Sequence, residues 1–401
     1  MNRASSSRPL RIGIVTDSLW ERVVDGEVRI ANGGIGVYVY QLVRHLLSVD
    51  QDNEYFLIRT QWRGALDIFG HPRAHNIFFP KRLFLGTLTM FGVPYFWAAR
   101  RHQLDLVHFP NTVGSEFLPR SVKQVLTVHD LTPLLFPSMH PRQRVLVDRL
   151  LARRAIQRAD CIIVPSFATA QDLTEQRLAS ADKCVRVPEG VDSRFRRVSP
   201  TVEFSARYRM NRPFFLTVGV LEPRKNHTVL LDVLRELHSK HHNLELIIVG
   251  RPGWRWTDPL TLPEYRDLLP WVKIFHDVPD FDLVEFYNRA DVFAYPSLYE
   301  GFGLPIVEAM ACGTPVIASG LSCMPEVGGT AALYADPRNP QEFASQVLRV
   351  IENGQLRERL VEAGRRHASQ FTWRATAEAT LAVYQGVCGL APRSQSLGRG
   401  G

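Results

Sequence analysis

Short apolar runs alternate with longer helical patterns along the whole sequence. The first half contains RIGIVTD, YFLIRT, DLVHFP, QVLTVHD and CIIVPS, and the second contains FFLTVGV, LELIIVG, VKIFHD, DVFAYPS and PVIAS. Strands of this kind, separated by helices, form parallel sheets that are covered by helices on both faces. Because a chain of 401 residues is too long for one ordinary core, the sequence predicts two doubly wound α/β units in tandem.

A polar, arginine-rich stretch at 193–212 separates the two series of strands and helices. Such a composition is typical of a linker between domains. We therefore predict a first domain at 1–205, a second domain at 206–373 and a disordered tail at 391–401.

Positive charge is concentrated in the first half. Residues 1–200 carry 27 Lys and Arg against 18 Asp and Glu, a net charge of +9, whereas the whole chain carries +8. This asymmetry indicates an anionic partner, either a membrane surface, a phosphorylated acceptor or nucleic acid, although a solvated basic face also produces it. Nucleic acid is disfavoured because the chain has no basic repeat with interleaved aromatic residues.

The apolar segment 83–99 lies in this basic half, between Lys81 and Arg82 on one side and Arg100 and Arg101 on the other. It is too short and too interrupted by glycine and proline to span a bilayer. A buried helix and turn is one interpretation, and an interfacial patch that touches lipid is the other.

The cysteines and the N-terminus bear on the compartment. Five scattered cysteines form no disulfide or zinc pattern, and the first apolar run ends at Asp17, unlike a secretory signal. These features favour a cytoplasmic protein. The positive charge of the first half, six arginines of which lie in the helical pattern at 141–160, further suggests peripheral attachment to the inner face of the plasma membrane.

The stretch YEGFGLPIVEAMACGTPVIAS places two carboxylates, Glu300 and Glu308, in an apolar segment. Pro305 suits the first turn of a helix, so EGFG forms the turn after the strand DVFAYPS, at the sheet edge where ligands bind. The free backbone N–H groups there favour anions or sugar hydroxyls, and they belong to Phe302, Gly303 and Leu304. Because two carboxylates repel a bare phosphate, we expect hydroxyl partners, as on a sugar nucleotide; a capping Glu plus a satisfied buried Glu is the plainer alternative.

A second turn, in VGVLEPRKNHTVLL, places Arg224 and Lys225 side by side before a helix. The helix dipole disfavours cations at that end, whereas a diphosphate would be neutralised by them and gripped by Arg in a bidentate way. Gly219 in the same turn is assigned to the same site.

Two features of the first half point to the matching carboxyl edge. The sequence NGGIGVYVY puts Gly33, Gly34 and Gly36 before a helix, which alone is weak evidence for phosphate binding. The strand QVLTVHD ends in His129, which either caps the strand or acts as a hydrogen-bonding or proton-transfer group.

The triplet DFD at 280–282, in the second half, resembles a metal motif, but its place before a helical pattern favours N-capping.

The set EGFGLPIVE, LEPRKN, GGIG, VHD, VPSFATAQDL and VPEGVDSRF resembles the retaining glycosyltransferases of family 4. The resemblance runs from about residue 11 to 385 and is most specific at the two glutamates and the Arg-Lys pair. Within that family, HDLTPLLFP and the glutamate segment look most like bacterial mannosyltransferases that use GDP-mannose. Glu189 stands where the family often has Asn, which puts the local turn geometry in doubt.

The resemblance implies the GT-B fold, in which two Rossmann-like domains face each other across a cleft and a last helix, here about 374–390, returns to the first domain. It also implies a catalytic group consisting of His129, Arg224, Lys225 and Glu300. The implied donor-binding residues are Gly33, Gly34, Gly36, Gly219, Val278, Phe302, Gly303, Leu304 and Glu308. Within these sets, Glu300 would contact the transferred sugar, Glu308 the ribose, Val278 the nucleobase, and the two cations the diphosphate.

The expected activity is transfer of a hexose, most simply mannose from GDP-mannose, to a glycan or a polyprenyl-diphosphate-linked saccharide in the synthesis of cell-surface polysaccharide such as lipopolysaccharide. No cofactor or metal is expected, because the two cations would replace the metal. Alternatives are a UDP- or dTDP-sugar donor and, in another class, a two-lobed sugar-binding protein without catalysis. A UDP-sugar epimerase shares the architecture but has no evident need for the Arg-Lys pair beside the two glutamates.

Overall fold

The computed structural model describes residues 8–19, 21–24, 27–30, 33–60, 68–79, 92–112, 117–140, 145, 148–256 and 258–390. The chain divides into two compact units. Unit 1 consists of 1–134, 143–189 and 373–401, and unit 2 consists of 135–142 and 190–372.

Unit 1 is built on a seven-stranded sheet in the order β5-β4-β1-β6-β7-β8-β9, in which all pairs are parallel. A separate antiparallel pair is formed by β2 and β3. The strands are β1 (Arg11–Val15), β2 (Glu21–Val24), β3 (Glu27–Ile30), β4 (Glu54–Arg59), β5 (Ala74–Phe78), β6 (Leu106–Phe109), β7 (Lys123–Thr127), β8 (Cys161–Val164) and β9 (Cys184–Arg186). The helices are α1 (Gly33–Val49), α2 (Val93–Arg101), α3 (Thr132–Leu135), α4 (Arg153–Arg158) and α5 (Phe167–Glu175), with a π-helical turn at Asp148–Ala152.

Unit 2 is built on a six-stranded parallel sheet in the order β12-β11-β10-β13-β14-β15. Its strands are β10 (Phe214–Val218), β11 (Glu245–Val249), β12 (Val272–Phe275), β13 (Val292–Tyr295), β14 (Val316–Ser319) and β15 (Ala332–Ala335). Its helices are α6 (Val202–Tyr208), α7 (Val229–Ser239), α8 (Asp280–Arg289), α9 (Leu304–Cys312), α10 (Met324–Gly328), α11 (Pro340–Glu352) and α12 (Gly354–Ala368). The helix α13 (Trp373–Val387) follows and belongs to unit 1.

Each sheet is covered by its own apolar core. In unit 1, α1 and α13 pack together, with Tyr38, Leu42 and Tyr384 almost fully buried. In unit 2, α7 and α11 pack together, with Leu230 and Phe343 fully buried. The central strands are buried along their whole length, as expected for parallel sheets covered on both faces. The prediction of two doubly wound units is confirmed.

The change from unit 1 to unit 2 lies at residue 190, whereas the sequence had placed it after 205. The polar stretch is fixed to α8 by hydrogen bonds. Val198 N donates to the Asn288 side chain at 2.9 Å, and Thr201 donates from N and Oγ1 to Glu285 at 3.1 and 2.5 Å. The stretch is polar because it bonds to a polar helix face, and it is therefore part of unit 2.

The short segment 135–142 also differs from the prediction, which assigned it to the first domain. It belongs to unit 2, where the Phe136 ring lies 5.4 Å from that of Tyr299 and the His140 ring lies 5.2 Å from that of Trp254. These aromatic contacts explain its place.

Several predictions lie outside the described residues. They concern the part of the apolar segment at 83–91, residues 141–144 and 146–147 of the arginine-rich pattern, and the tail at 391–401.

Candidate functional site

The two predicted turns of unit 2 meet at the point where the strand order reverses. Strands β10 and β13 are neighbours, although the chain forms β11 and β12 between them. In an open parallel sheet, this switch point leaves a crevice at the carboxyl ends of the strands. The turn after β10 carries Arg224 and Lys225, and the turn after β13 carries Glu300.

The turn after β10 is held tightly against the turn after β11. Gly219 has a φ of 149°, which favours glycine, and its N–H donates to Val249 O at 3.0 Å. A Cβ on Gly250 would lie 1.8 Å from Gly219 O, so the backbones touch there. At the other end of the turn, Asn226 has a φ of 55° and its side-chain amide donates to Pro296 O and Pro337 O at 3.3 and 2.6 Å.

Four charged side chains form one cluster at this switch point. Arg224 Nη1 lies 2.7 Å from Glu300 Oε2, and its Nη2 lies 2.6 Å from Glu222 Oε1. Lys225 Nζ lies 2.6 Å from Glu300 Oε1 and also 2.6 Å from the Tyr295 hydroxyl, which itself bonds to Glu300 at 2.9 Å. We call Glu222, Arg224, Lys225 and Glu300 the ionic cluster.

Burial makes the electrostatics of this cluster strong. Glu222, Lys225 and Glu300 are all buried, and the Arg224 side chain is 15% exposed. Burial alone would raise the pKa of Glu300, but the charges and hydrogen bonds of Arg224 and Lys225 outweigh it and lower that pKa to about 2. Burial lowers the pKa of Lys225, and the Glu300 charge partly offsets this. Glu300 is therefore a carboxylate at neutral pH.

The next helix begins as predicted. α9 starts at Leu304, Pro305 occupies its first turn, and Gly303 precedes it with a φ of 91°. Phe302 is buried, and its carbonyl accepts a hydrogen bond from Cys323 Sγ at 3.1 Å. The predicted position of EGFG in the turn between β13 and a helix is confirmed.

Glu308 lies one turn inside α9 and has different surroundings. Its Oε2 accepts a hydrogen bond from the Tyr287 hydroxyl at 2.8 Å. Burial raises the pKa of Glu308 to about 7, since the Tyr287 bond and the more distant Arg194 offset the burial only in part. Val278, the residue assigned to the nucleobase, lies half-buried in the loop between β12 and α8, at the same carboxyl edge of the sheet.

In unit 1, His129 follows β7 and contacts two acceptors. Its Nδ1 lies 2.9 Å from Glu189 Oε1, and its Nε2 lies 3.2 Å from Pro110 O. The Tyr38 ring stands edge-on to it at 4.6 Å. The side chain of His129 is 16% exposed and that of Glu189 is 8% exposed.

The three glycines were predicted to precede a helix, but α1 begins at Gly33, so they form its first turn. Gly33 has a φ of 77°, and a Cβ on Gly33 or Gly34 would meet no atom of the described residues within 4 Å, whereas Gly36 is buried. Gly33 and Gly34 therefore leave the backbone at the start of α1 exposed, whereas Gly36 packs inside. Open backbone N–H groups at a helix start suit an anion.

The interpretation of DFD as an N-cap is wrong. The N-cap of α8 is Pro279 and makes no side-chain bond. Asp280 pairs with Arg194, while buried Asp282 accepts from Arg207 Nη1 and the Tyr208 hydroxyl at 2.7 and 2.6 Å. The aspartates join α8 to the preceding segment, which explains their spacing.

Three site residues had received no role from the sequence. Glu222 lies within the motif LEPRKN, so its position beside the Arg-Lys pair was the available signal. Tyr295 ends the strand DVFAYPS, but an apolar strand gives no sign that its hydroxyl reaches Glu300. Glu189 had been noted only as a departure from the family pattern, and its contact with His129 joins residues far apart in sequence.

Within the ranges that the structure describes, no group of three or more His, Cys, Asp and Glu side chains could hold a metal ion. No helix in those ranges combines the length and the apolar character that crossing a bilayer requires.

Comparison with known proteins agrees with this geometry. Residues 199–367 match the family model of glycosyl transferases group 1, and residues 32–195 match that of glycosyltransferase family 4. The O-antigen chain mannosyltransferase B of Escherichia coli is 31% identical over 294 residues, 72% of this chain and 76% of that protein. The D-inositol 3-phosphate glycosyltransferase of Corynebacterium jeikeium is 31% identical over 305 residues, 70% and 72% of the two chains.

Among solved structures, sucrose-phosphate synthase from Thermosynechococcus elongatus superimposes with a TM-score of 0.73 over 95% of this chain and 100% of that one. At 21% sequence identity, this likeness shows the fold. The two Rossmann-like sheets and this likeness show the GT-B fold. Both family models and the mannosyltransferase relative show that the chain belongs to glycosyltransferase family 4 and resembles the mannosyltransferases of that family.

Proposed function

We propose that this glycosyltransferase moves mannose from GDP-mannose to a saccharide acceptor with retention of the anomeric configuration. The observation that carries the proposal is the ionic cluster, in which one carboxylate, Glu300, contacts both Arg224 and Lys225 at the switch point of the sheet. The choice of mannose is supported by the mannosyltransferase relative at 31% identity. The second candidate function is transfer with another donor or acceptor, which is supported by the relative named as a D-inositol 3-phosphate glycosyltransferase.

The two cations are proposed to stabilise the leaving group. The bond between the anomeric carbon and the diphosphate oxygen breaks with its electron pair on that oxygen, an acceptor hydroxyl oxygen bonds to the same face of the carbon, and the hydroxyl proton passes to the departing diphosphate. Negative charge grows on the departing nucleoside diphosphate, and buried cations stabilise such charge more strongly than water does. The cluster is neutral in the free protein because two carboxylates balance two cations, so the diphosphate must compete with Glu222 and Glu300 for Arg224.

The proposed reaction needs no metal or cofactor, since Arg224 and Lys225 supply the positive charge. A sample treated with EDTA and then assayed in metal-free buffer is expected to keep its transfer rate. Loss of the rate with EDTA, followed by recovery with Mg²⁺, would contradict the assignment.

The remaining predicted residues are proposed to bind the donor. Glu308 would accept from ribose hydroxyls, Val278 would contact the base, and Glu300 would accept from a hexose hydroxyl. The backbone N–H groups at the start of α9 and the glycine turn of α1 would bind donor oxygens. These N–H groups and turns belong to Gly33, Gly34, Gly36, Phe302, Gly303 and Leu304, whereas Gly219 is proposed to bind the donor from the turn that carries the two cations. His129 is proposed to contact the transferred hexose.

The test is binding and slow hydrolysis of a panel of sugar nucleotides, namely GDP-mannose, UDP-glucose, UDP-galactose, UDP-N-acetylglucosamine and dTDP-rhamnose. We expect GDP-mannose alone to be turned over, and Glu300→Ala to lose turnover, while the control Glu264→Ala, on an exposed residue, keeps it. Turnover of a UDP- or dTDP-sugar instead would replace mannose. Tight binding without turnover would favour a binding protein.

The acceptor is proposed to be a saccharide on a polyprenyl diphosphate at an anionic membrane surface. In α2, Trp97 is 55% exposed and is followed by the basic residues Arg100 and Arg101. Aromatic and basic side chains together suit the interface of an anionic membrane. Flotation with liposomes is expected to require anionic lipid and to weaken in Trp97→Ala; equal flotation with neutral lipid would contradict the electrostatic part.

A further inference from the structure

His129 contacts two groups that can only accept hydrogen bonds when Glu189 is ionised. A backbone carbonyl has no proton to donate, so the Nε2 contact with Pro110 O at 3.2 Å requires an N–H on Nε2. A carboxylate likewise requires an N–H on Nδ1, which lies 2.9 Å away. Neutral imidazole has one N–H and imidazolium has two. Only imidazolium satisfies both contacts when Glu189 is a carboxylate.

The charges around His129 favour the same state. Asp130 adds a second carboxylate next to the ring, and its Oδ1 accepts from Thr132 N and Oγ1 at 2.9 and 2.6 Å. Two further titratable neighbours within the described part of the chain are His108 on β6 and Tyr38 on α1. Burial, with a smaller effect of the His129 charge, lowers the pKa of His108 to about 3, and burial raises that of Tyr38. Both are therefore neutral at physiological pH, and none of the described groups that act most strongly on the pKa of His129 is a second cation.

Burial by itself lowers the pKa of His129, but the hydrogen bond and charge of Glu189, the charge of Asp130 and the Pro110 carbonyl together raise it above its ordinary value. The alternative arrangement is neutral imidazole beside a protonated Glu189. In that arrangement the proton would sit on the carboxylate, although imidazole is the stronger base.

We infer that Glu189 is a positioning residue that holds His129 as an oriented imidazolium, with both ring nitrogens donating. This inference deepens the proposed function and rests on it where the hexose is concerned. Where the family often has Asn, this chain has a carboxyl side chain in contact with the histidine.

The consequence is that His129 serves as a hydrogen-bond donor and a fixed positive charge. An imidazolium has no free lone pair, so it cannot take the proton from an acceptor hydroxyl. Beside the donor sugar, it can instead donate from Nε2 to a hexose oxygen by releasing Pro110 O. The activity should then require protonated His129.

The first experiment titrates His129 by NMR in the full-length protein labelled in its histidine rings, with the signal assigned from its loss in His129→Gln. The wild-type pKa is expected above the ordinary value of about 6.5. In Glu189→Gln it should fall by about one unit or more, because the amide can donate to Nδ1 and stabilise neutral imidazole. Glu189→Asp should restore much of the shift, and the control Glu175→Gln, on an exposed residue of α5, should leave it unchanged.

The second experiment measures the rate of turnover against pH with the donor that the panel identifies. In Glu189→Gln we expect the loss of kcat at high pH to move to lower pH in parallel with the NMR value, with KM for the donor changing less than about threefold. A variant that only damaged the fold would lower kcat at all pH values without moving the curve.

A wild-type pKa at or below about 6.5, or one that Glu189→Gln leaves in place, overturns the inference. If Glu189→Gln does not fold, the inference is tested by the wild-type pKa of His129 and by whether Glu189→Asp retains it. If the NMR shifts are as expected but no sugar nucleotide is turned over, the proposed function fails while the Glu189–His129 pair stands.

Discussion

Glu300 and Glu308 lie on the same turn and helix start, yet their surroundings move their pKa values in opposite directions. Glu300 contacts two cations, and its pKa is lowered to about 2 in spite of burial. Glu308 contacts a neutral tyrosine hydroxyl, and burial raises its pKa to about 7. Groups whose pKa values are driven apart in this way are typical of functional sites.

The raised pKa of Glu308 makes stability depend on pH. Its carboxyl binds a proton more tightly in the folded protein than in the unfolded chain, so its contribution is complete below about pH 4.5 and is lost as pH rises through about 7. Glu308→Gln removes this loss and keeps an acceptor for Tyr287. We expect the variant to be more stable than the wild type at pH 8.5, on the order of 1 kcal/mol because Glu308 is partly exposed.

The measurement is the melting temperature of both proteins between pH 5 and pH 8.5. The difference should be small at pH 5 and grow through pH 7, while donor affinity of the variant falls if Glu308 binds the ribose. A difference in melting temperature that is constant over this range would contradict the pKa argument.

Arg224 is the residue on which the leaving-group proposal depends. We expect Arg224→Ala to lower kcat about 100-fold, a barrier increase on the order of 3 kcal/mol, because a charged donor aimed at developing negative charge is lost. The control is Arg235→Ala, which removes an arginine that is 43% exposed on α7 and bonds to Asp267. Single-turnover kinetics distinguish a slower chemical step from slow product release. Full turnover by Arg224→Ala would refute the role of Arg224 in stabilising the leaving group.

At the scale of residues, the sequence predicts those site residues that lie in a local pattern. Glu300, Arg224 and Lys225 each follow a recognisable strand and precede a helix, so their position at the carboxyl edge could be derived. Glu189 could not be joined to His129 in this way, because 60 residues separate them. The directions of the pKa shifts of Glu300 and Glu308 could not be predicted either, because they depend on burial, which a single sequence does not show.

At the scale of elements, the predicted strands are those with continuous apolar runs. β1, β4, β6, β7 and β8 of unit 1 each correspond to a run identified in the sequence. The edge strands β5, β9 and β15 were missed, because they are short and partly exposed, and the separate antiparallel pair of β2 and β3 was missed as well. The central strands carry the predicted site turns in unit 2, which is why the missed edge strands did not affect the site.

The close approach between the turns after β10 and β11 gives a test of the turn that carries the two cations. Gly250→Ala would place a Cβ 1.8 Å from Gly219 O, so the turns after β10 and β11 would have to separate. We expect a loss of unfolding free energy of at least about 2 kcal/mol, because the clash is with backbone. Donor binding should weaken as well, since Gly219 begins the turn that ends in Lys225.

The matched control is Gly354→Ala in the first turn of α12, where a Cβ would meet nothing within 4 Å. It should be neutral or slightly stabilising, because alanine favours helices more than glycine does, by about 1 kcal/mol in a helix interior. Urea denaturation of both variants measures the difference. Equal stability of the two would show that the turns after β10 and β11 are not closely packed.

At the scale of the whole molecule, the chain forms unit 1, then unit 2, and then returns to unit 1 through α13. Tyr384 on α13 is fully buried in the core of unit 1, and its hydroxyl lies 2.7 Å from His108 Nδ1. Unit 1 therefore depends on residues at both ends of the sequence. The return could be expected only from the family resemblance, since the periodicity of a single helix does not show which sheet it covers.

Two core substitutions test whether each unit has its own core. Tyr384→Ala removes a large side chain and a hydrogen bond from unit 1, and Phe343→Ala removes a large, fully buried side chain from unit 2. Each should cost about 3–5 kcal/mol, because the cavity that remains is not refilled. Hydrogen exchange followed by mass spectrometry is expected to show faster exchange in β1 and α1 for Tyr384→Ala, and in β10 and α7 for Phe343→Ala. Faster exchange in both units for both variants would mean that the chain unfolds as one cooperative body, because local opening is otherwise confined to the unit whose packing has been weakened.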